Sequence, residues 1–175
     1  MIYRLSDPVT EPVSLAEAKA HLRVDVPDDD ALITAIISAA RDSAEMYCNR
    51  PWAAASFVET FDSLVGTEIQ LTATGVTAVS KVEYLDAAGA AQSVTTGITL
   101  DALSGLVTLA SAVSGTRVKV YYSAGSATVP ASIKQALLLK IGDMYENRAA
   151  QQWQALYVNQ ATSSLMYPYR VRIGV

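Results

Sequence analysis

The sequence predicts an α+β fold in which a helical base carries an inserted β lobe. Apolar residues recur at three- and four-residue steps before residue 52 and after residue 129, which is typical of helices. Between these segments Thr, Val, Ser and Gly dominate, and short alternating runs are separated by turn residues, which is typical of antiparallel strands. The chain has 175 residues, 51% of them hydrophobic, so one normal core is available. The prediction is therefore two N-terminal helices and a C-terminal helix, an antiparallel β-sandwich or barrel-like lobe, and an extended C-terminal tail.

Two helices are predicted at the start of the chain. Ser14 followed three residues later by Glu17 is a capping-box pattern, and it predicts a short helix from about residue 15 to residue 23. The acidic run from Asp28 to Asp30 predicts a second N-terminus, because carboxylates cap unpaired amides and favour the positive end of the helix dipole. Pro51 predicts that this helix ends near Asn49. Its apolar stripe comprises Leu32, Ile33, Ile36, Ile37, Ala40, Ala44 and Tyr47.

The middle of the chain predicts five strands, over residues 57–61, 68–72, 79–85, 106–109 and 117–122. Alternation is clearest in the third and fifth, where Tyr84 and Tyr122 are predicted to face the core. The turn signals that separate the strands include Gly66, Gly75, Gly89, Gly97, Gly105, Gly115 and Gly125.

Pro130 predicts the first turn of a third long helix. Its stripe of Ile133, Leu137, Ile141, Met144 and Tyr145 needs an apolar partner, either the second helix or a neighbouring subunit. A short helix over about residues 153–158 is also predicted. We expect a single domain over residues 1–175, divided into N-terminal helices (1–52), the β insertion (53–128), C-terminal helices (129–160) and a tail (161–175).

The tail is aromatic, basic and contains a proline. Tyr167, Tyr169, Arg170 and Arg172 make it suitable for extension across a neighbouring copy, and folding back on its own domain is the alternative.

The charge distribution favours protein association over nucleic-acid binding. The net charge is −4, and no cluster of Lys and Arg large enough for tight DNA binding is present. Residues 1–56 carry nine acidic and five basic side chains, whereas residues 130–175 carry two and five. An acidic body with a basic tail suits head-to-tail association between copies, although ordinary surface patterning would look similar. The sequence shows no secretion signal or membrane-spanning run, so we expect a soluble protein made in the cytoplasm.

No pattern in the sequence predicts catalysis, a metal site or a cofactor. His21 is the single histidine and has no neighbouring ligand at metal spacing, and Cys48 lacks the flanking residues of a thiol protease. The run from Asp28 to Asp30 lacks the glycine and glutamate of an EF-hand loop. We therefore predict that the protein is not an enzyme and that these residues are structural.

Three blocks of sequence resemble the head-to-tail connector family of tailed bacteriophages, also called adaptor or head-completion proteins. They are Val13 to Val24 together with Asp29 to Arg50, then Val129 to Leu139 continuing through Tyr145 to Arg148, and finally Leu165 to Arg170. The β insertion is similar to the family in outline only.

This resemblance implies a structural subunit of a ring of about a dozen copies in the virion neck, assembled in the host cytoplasm. The implied partners are further copies of the chain, the portal protein and a tail-side connector or tail terminator, with double-stranded DNA passing through without specific binding and no membrane. Tyr167, Tyr169, Arg170 and Arg172 are the implied portal-facing or neighbour-facing residues. Helix packing or inter-subunit packing is implied for Leu15, Leu22, Leu32, Ile36, Ile133, Leu137 and Ile141.

An alternative function is a β-lobed binding module of the tail or neck that contacts protein or glycan. Exposed aromatic side chains in the insertion would favour this alternative.

Overall fold

The computed structural model describes residues 1–126, 128–147 and 160–171. The fold is α+β, as the sequence predicts, and the chain divides into two compact units. The β unit comprises residues 1–10 and 53–126, and the helical unit comprises residues 11–52 and the described residues from 128 onward. The prediction of a single connector domain stays a prediction. In order, the elements are β1 (Ile2–Arg4), α1 (Leu15–Leu22), α2 (Asp30–Cys48), β2 (Ala55–Gln70), β3 (Val76–Leu85), β4 (Ala91–Val94), β5 (Ile98–Asp101), β6 (Leu106–Ala124), α3 (Ala131–Glu146), α4 (Gln160–Met166) and the 3-10 turn Tyr167–Tyr169.

Helix α1 begins as its sequence predicts. The Ser14 hydroxyl accepts a hydrogen bond from the Glu17 amide, and the Glu17 carboxylate accepts one from the Ser14 amide, so the capping box is complete. The helix ends at Leu22 because Arg23 adopts a left-handed conformation with φ 58°.

The acidic run correctly predicts the start of α2, which has the Asp30 carboxylate in its first turn, but the predicted side-chain cap is absent. Asp29 occupies the N-cap position but makes no side-chain capping bond. Instead its carboxylate accepts a hydrogen bond from the Tyr145 hydroxyl of α3, and Asp30 forms an ion pair with Lys19 of α1 at 2.5 Å. These carboxylates therefore join helices to one another, which sequence spacing alone could not reveal.

The core of the helical unit combines α2 and α3, so the two predicted stripes meet within one chain. Ile33, Ile37, Ile133, Leu137 and Ile141 are almost fully buried in one hydrophobic cluster. The other members of the cluster are Val13, Ala18, Ile36, Ala40, Ala44, Cys48, Trp52, Ala136 and Met166.

The β unit is one antiparallel sheet with the strand order β1, β2, β6, β3, β4, while β5 pairs with the first part of β6. It contains two long strands where the sequence predicts four short ones. Gly66 and Gly115 are not turns, because both lie within the β2–β6 ladder, where Gly115 pairs with Leu64 and Gly66 with Val113. A Cβ atom at residue 115 would lie 2.4 Å from the Tyr84 ring, so close packing accounts for this glycine.

The predicted alternation is confirmed in β6, whereas in the predicted β3 run, residues 79–85, only Val82 is buried and Tyr84 is partly buried. Val82, Val118 and Val120 are fully buried, and the ring of Tyr122 stacks on that of Phe57 at 5.8 Å. The same cluster holds residues from the other half of the long hairpin, including Ile69, Val107, Leu109 and Val113. Both halves therefore share one core.

The chain after α3 differs from the extended tail that the sequence predicts. Residues 160–169 are helical, and extended backbone begins at Arg170. The short helix predicted over residues 153–158 and the side chain of Arg172 lie outside the described residues. In the described part of the chain, every helix is too short or too polar to cross a lipid bilayer.

Candidate assembly surfaces

The C-terminal segment, residues 160–171, folds back on the helical unit. The Val171 amide donates to the Cys48 carbonyl at 2.9 Å, and the Asn49 side-chain amide donates to the Val171 carbonyl at 3.0 Å. The Cys48 thiol, 3.8 Å from the Met166 carbonyl oxygen, lies beneath the same segment. Backbone bonds to the end of α2 therefore fix the chain here, and the alternative of folding back describes residues 160–171.

Two of the four residues predicted to face the portal or a neighbour pack within their own chain. Tyr169 contacts Trp52 edge to face, with the ring centroids 5.7 Å apart, and its hydroxyl accepts a hydrogen bond from Ser132 at 3.0 Å. The Arg170 guanidinium lies over the ring of Tyr47 at 5.4 Å. These contacts give both side chains a structural role, whether or not a partner also binds there.

Tyr167, a third member of this predicted set, is exposed, with 58% of its surface accessible. It borders a shallow cavity of about 300 Å³, which Tyr47, Ser163 and Ser164 also line. Met46 lies on α2 one residue away from Tyr47 and is 79% exposed. Neighbouring apolar side chains that are exposed to water are typical of protein contact surfaces.

Most of the predicted helix-packing residues lie in the core. Ile36, Ile133, Leu137 and Ile141 are buried, whereas Leu15 and Leu22 are partly buried and pack against the same cluster. Leu32 differs: it is 37% exposed because the neighbouring Ile33 occupies the inward position.

Ion pairs hold the start of the helical unit against α2. Arg41 is almost fully buried, and its guanidinium contacts Glu11 at 2.5 Å and Asp42 at 3.0 Å. Glu45, also buried, accepts a hydrogen bond from the Trp52 amide at 2.7 Å. Buried charges are costly unless they are paired, so these contacts fix the positions of the segments that flank α2.

Strand β1 is a surface that the sequence analysis missed. It forms one edge of the sheet, and Ile2 and Tyr3 are 43% and 51% exposed. The neighbouring Met1, Leu5 and Val9 are exposed as well. The sequence signal for this strand was the pair Ile2 and Tyr3, two adjacent residues of high β propensity. An edge strand with exposed apolar side chains is a natural surface for pairing with another chain.

The residues considered for chemistry are not assembled into a site. His21 is exposed on α1 and lies beside Gly142, whereas Cys48 is buried and its pKa is raised by loss of hydration. Among the residues that the structure describes, no group of three or more His, Cys, Asp or Glu side chains could hold a metal ion.

Comparison with known proteins identifies a family and similar folds. The sequence matches the head completion protein family over residues 12–155. The fold is similar to a chain in the neck of an empty gene transfer agent particle computed with C6 symmetry, with a TM-score of 0.76. It is also similar to a chain in the neck of the native particle computed with C12 symmetry, with a TM-score of 0.73. In both cases the identity is 22%, and the match covers 98% of this chain and 96% of the other. No curated protein matches at a significant level.

The family match over residues 12–155 defines a structural protein of the virion. The chain belongs to the head completion protein family. The predicted family and the predicted role as a structural virion protein of the head–tail connection are thereby confirmed.

Proposed function

We propose that the chain forms a closed ring of twelve copies between the portal and the tail of a phage-like particle, a number that fits the C12 symmetry with which the similar native neck was computed. The ring completes the DNA-filled head and leaves a passage through which double-stranded DNA enters the tail. The portal protein, further copies of this chain and a tail-side connector or tail terminator are its partners. The family match over residues 12–155 is the observation that carries this proposal.

The surfaces of the chain suit repeated contact between identical copies. A ring needs two different complementary surfaces on each subunit, because each copy gives one surface to a neighbour and receives the other. The exposed apolar edge at β1 and the region around Tyr167 are two such surfaces, one on the β unit and one on the helical unit. Both would be unfavourable in water if they were left uncovered in the particle.

The charge of the chain suits a passage through which DNA slides. The net charge of −4 is multiplied by the copy number in a ring, and phosphate groups are repelled by a surface of the same sign. Without many Lys and Arg side chains to replace counterions, duplex DNA gains little from binding. The ring therefore guides DNA without holding it.

Removing the protein from the producing particle tests this function. Particles that lack the chain should package DNA, lose it on purification and carry no tails, and supplying the chain in trans should restore tailed particles. Electron microscopy of the necks counts the copies and shows whether the density lies between portal and tail. Normal tailed particles without the chain, or a single copy at the outside of the neck, would contradict the proposal.

The alternative of a glycan-contacting β module receives no support from the aromatic residues of the insertion. Phe57 and Tyr122 are buried in the core, and Phe61, Tyr84 and Tyr121 are partly buried. Glycan-binding faces present aromatic rings to solvent, and residues 57–126 present none that is fully exposed.

A further inference from the structure

The basic side chains of the β insertion lie together. Between residues 57 and 126 the sequence has three, Lys81, Arg117 and Lys119. Arg117 and Lys119 line a surface cavity of about 380 Å³ between β3, β4 and β6. Lys81 forms an ion pair at 2.6 Å with Glu83, which lines the same cavity. All the cations of the insertion thus converge on one place.

Two of these cations form no direct ion pair, although Lys119 lies opposite Glu83 in the β3–β6 ladder. Glu83 is occupied by Lys81 and by the Tyr121 hydroxyl, which donates to it at 2.8 Å. Neither Arg117 nor Lys119 forms an ion pair with any described residue, and both are exposed. Their charge exceeds the single charge of Glu83, so the cavity has a net positive charge.

The backbone at Arg117 indicates that its side chain is needed. Its φ of 51° is left-handed, and it lies where the β3–β6 pairing gains one extra residue on β6, between the pairs Glu83–Lys119 and Leu85–Thr116. Glycine is the usual residue at such a bulge because a side chain is strained there. Strain retained in a non-glycine residue is a reason to look for function. Here the strained residue supplies a guanidinium to the cavity.

The linker between α1 and α2 carries a matching pair of charges. Asp25 and Asp28 are exposed and form no ion pair with a described residue. The linker is also held in shape: Lys19 donates to the Val26 carbonyl at 3.0 Å, and the Asp30 amide donates to the Pro27 carbonyl at 3.0 Å. Two carboxylates therefore project from a fixed loop, flanking Val26, whose side chain is 57% exposed.

We propose that the cavity lined by Arg117 and Lys119 binds the Asp25–Asp28 loop of the next copy of this chain. The inference rests on the proposed function, since a ring brings two different surfaces of identical subunits together. The loop supplies two carboxylates for two cations, and Val26 can contact the apolar atoms of Tyr84 and Leu85, which also line the cavity. Guanidinium and carboxylate groups form paired hydrogen bonds that fix orientation as well as charge.

A protein carboxylate fits this cavity better than DNA does. Two unpaired cations would replace about two counterions on a duplex, which gives weak and salt-sensitive binding. A fixed loop with two carboxylates instead satisfies both cations within a small volume.

Complementary charge reversal tests the contact. One full-length chain carries Arg117→Glu and Lys119→Glu, and a second carries Asp25→Lys and Asp28→Lys. Each alone should associate on the order of tenfold to a hundredfold more weakly than the original chain, because like charges face each other. An equal mixture should restore rings, since in an alternating ring every cavity faces a loop of opposite charge. Native mass spectrometry with the portal protein present should find the two chains in equal numbers.

Two further variants separate this contact from misfolding and from net charge. Arg117→Gly relieves the backbone, so it should keep or raise the melting temperature while weakening association about tenfold. Glu68→Lys with Glu146→Lys changes the net charge as much as the loop variant does, at two exposed carboxylates elsewhere, and should leave association unchanged.

Several outcomes would overturn the inference. Normal rings from either reversed chain, or a mixture of folded chains that fails to restore rings, would exclude the contact. If the control variant at Glu68 and Glu146 loses association to the same extent, the effect of the loop variant comes from net charge and not from a specific contact. If the variant with Arg117→Glu and Lys119→Glu binds a DNA duplex more weakly while rings form normally, the two cations bind DNA and not the loop. If the original chain forms no ring with portal, the proposed function fails and the inference fails with it.

Discussion

The helical unit and the β unit are stabilised by different kinds of contact. In the helical unit, charged and aromatic side chains join segments that are far apart in sequence, as Arg41 does with Glu11 and Trp52 with Tyr169. In the β unit, ladder hydrogen bonds and an apolar core dominate, and Glu59 is the one buried charged residue among its described positions. The helical unit therefore depends on particular side chains, whereas the β unit depends on backbone geometry and the space between strands.

A cavity in the helical core should have the largest effect. Leu137→Ala removes a fully buried side chain between α2 and α3 and should lower the free energy of unfolding by about 3 kcal/mol. Hydrogen exchange with mass spectrometry would show whether protection falls in the helical unit alone. Leu103→Ala, at a fully exposed position, is the control and should change nothing. Equal loss of protection in both units would show that they unfold together.

In the β unit, the most destabilising substitution should be one that forces the backbone to move. Gly125 has φ 101°, and a Cβ atom there would lie 2.2 Å from the Ala53 carbonyl oxygen. Gly125→Ala should therefore cost about 2 kcal/mol or more in unfolding free energy, measured by chemical denaturation. Gly89→Ala also has positive φ but meets no atom within 4 Å, so it should cost about 1 kcal/mol. Similar losses in the two variants would contradict the steric explanation.

The two tyrosines of the C-terminal segment should separate stability from assembly. Tyr169→Ala loses the contact with Trp52 and the Ser132 hydrogen bond, and it should lower stability by about 2 kcal/mol. The exposed Tyr167→Ala should leave the melting temperature unchanged and reduce incorporation into particles. Thermal melts and particle counts measure both effects. Unchanged incorporation of the Tyr167 variant would remove that residue from the proposed contact surface.

The capping box should give the smallest effect and a pH signature. The hydrogen bond from Lys134, with those from Ser14, lowers the pKa of Glu17 to about 2. A depressed carboxyl pKa contributes stability above its unfolded value of 4.5, and this contribution is lost as the pH falls toward 2. Solvent screens these contacts because the Glu17 side chain is 43% exposed, so Glu17→Gln should cost at most about 1 kcal/mol at pH 7 and progressively less below pH 4.5. Denaturation curves across this range check it, and a difference that stays constant with pH would contradict it.

The helices could be predicted because their signals are local. A capping box lies within four residues, and an apolar stripe repeats every turn, so Ser14, Glu17 and the stripe of α3 suffice without knowledge of the fold. The pairing of Asp29 with Tyr145 spans 116 residues, and no local pattern encodes it. The sequence therefore predicted α1, α2 and α3 and the local cap of α1, but it missed α4 and the polar contacts between distant segments.

The strands were harder to predict because glycine occurs both in turns and within strands where neighbouring groups pack closely. Gly66 and Gly115 resemble turn residues, yet they lie in the long ladder, where Gly115 leaves room for the Tyr84 ring. Strands β1, β4 and β5 have three or four residues each, too few for alternation to stand out. The same limit hid the candidate contact surfaces, since the edge at β1 and the cavity beside Arg117 exist only once strands are paired.

The chain contains a single cysteine, and its position gives an intrinsic reporter. Cys48 is buried, and its thiol faces the Met166 carbonyl of the C-terminal segment. We expect a thiol reagent to react faster once that segment lifts from α2, and the raised pKa of the thiol slows the reaction while the segment is docked. The rate of alkylation in intact protein would therefore time the docking of residues 160–171, without any engineered label, before and after the subunit enters a particle.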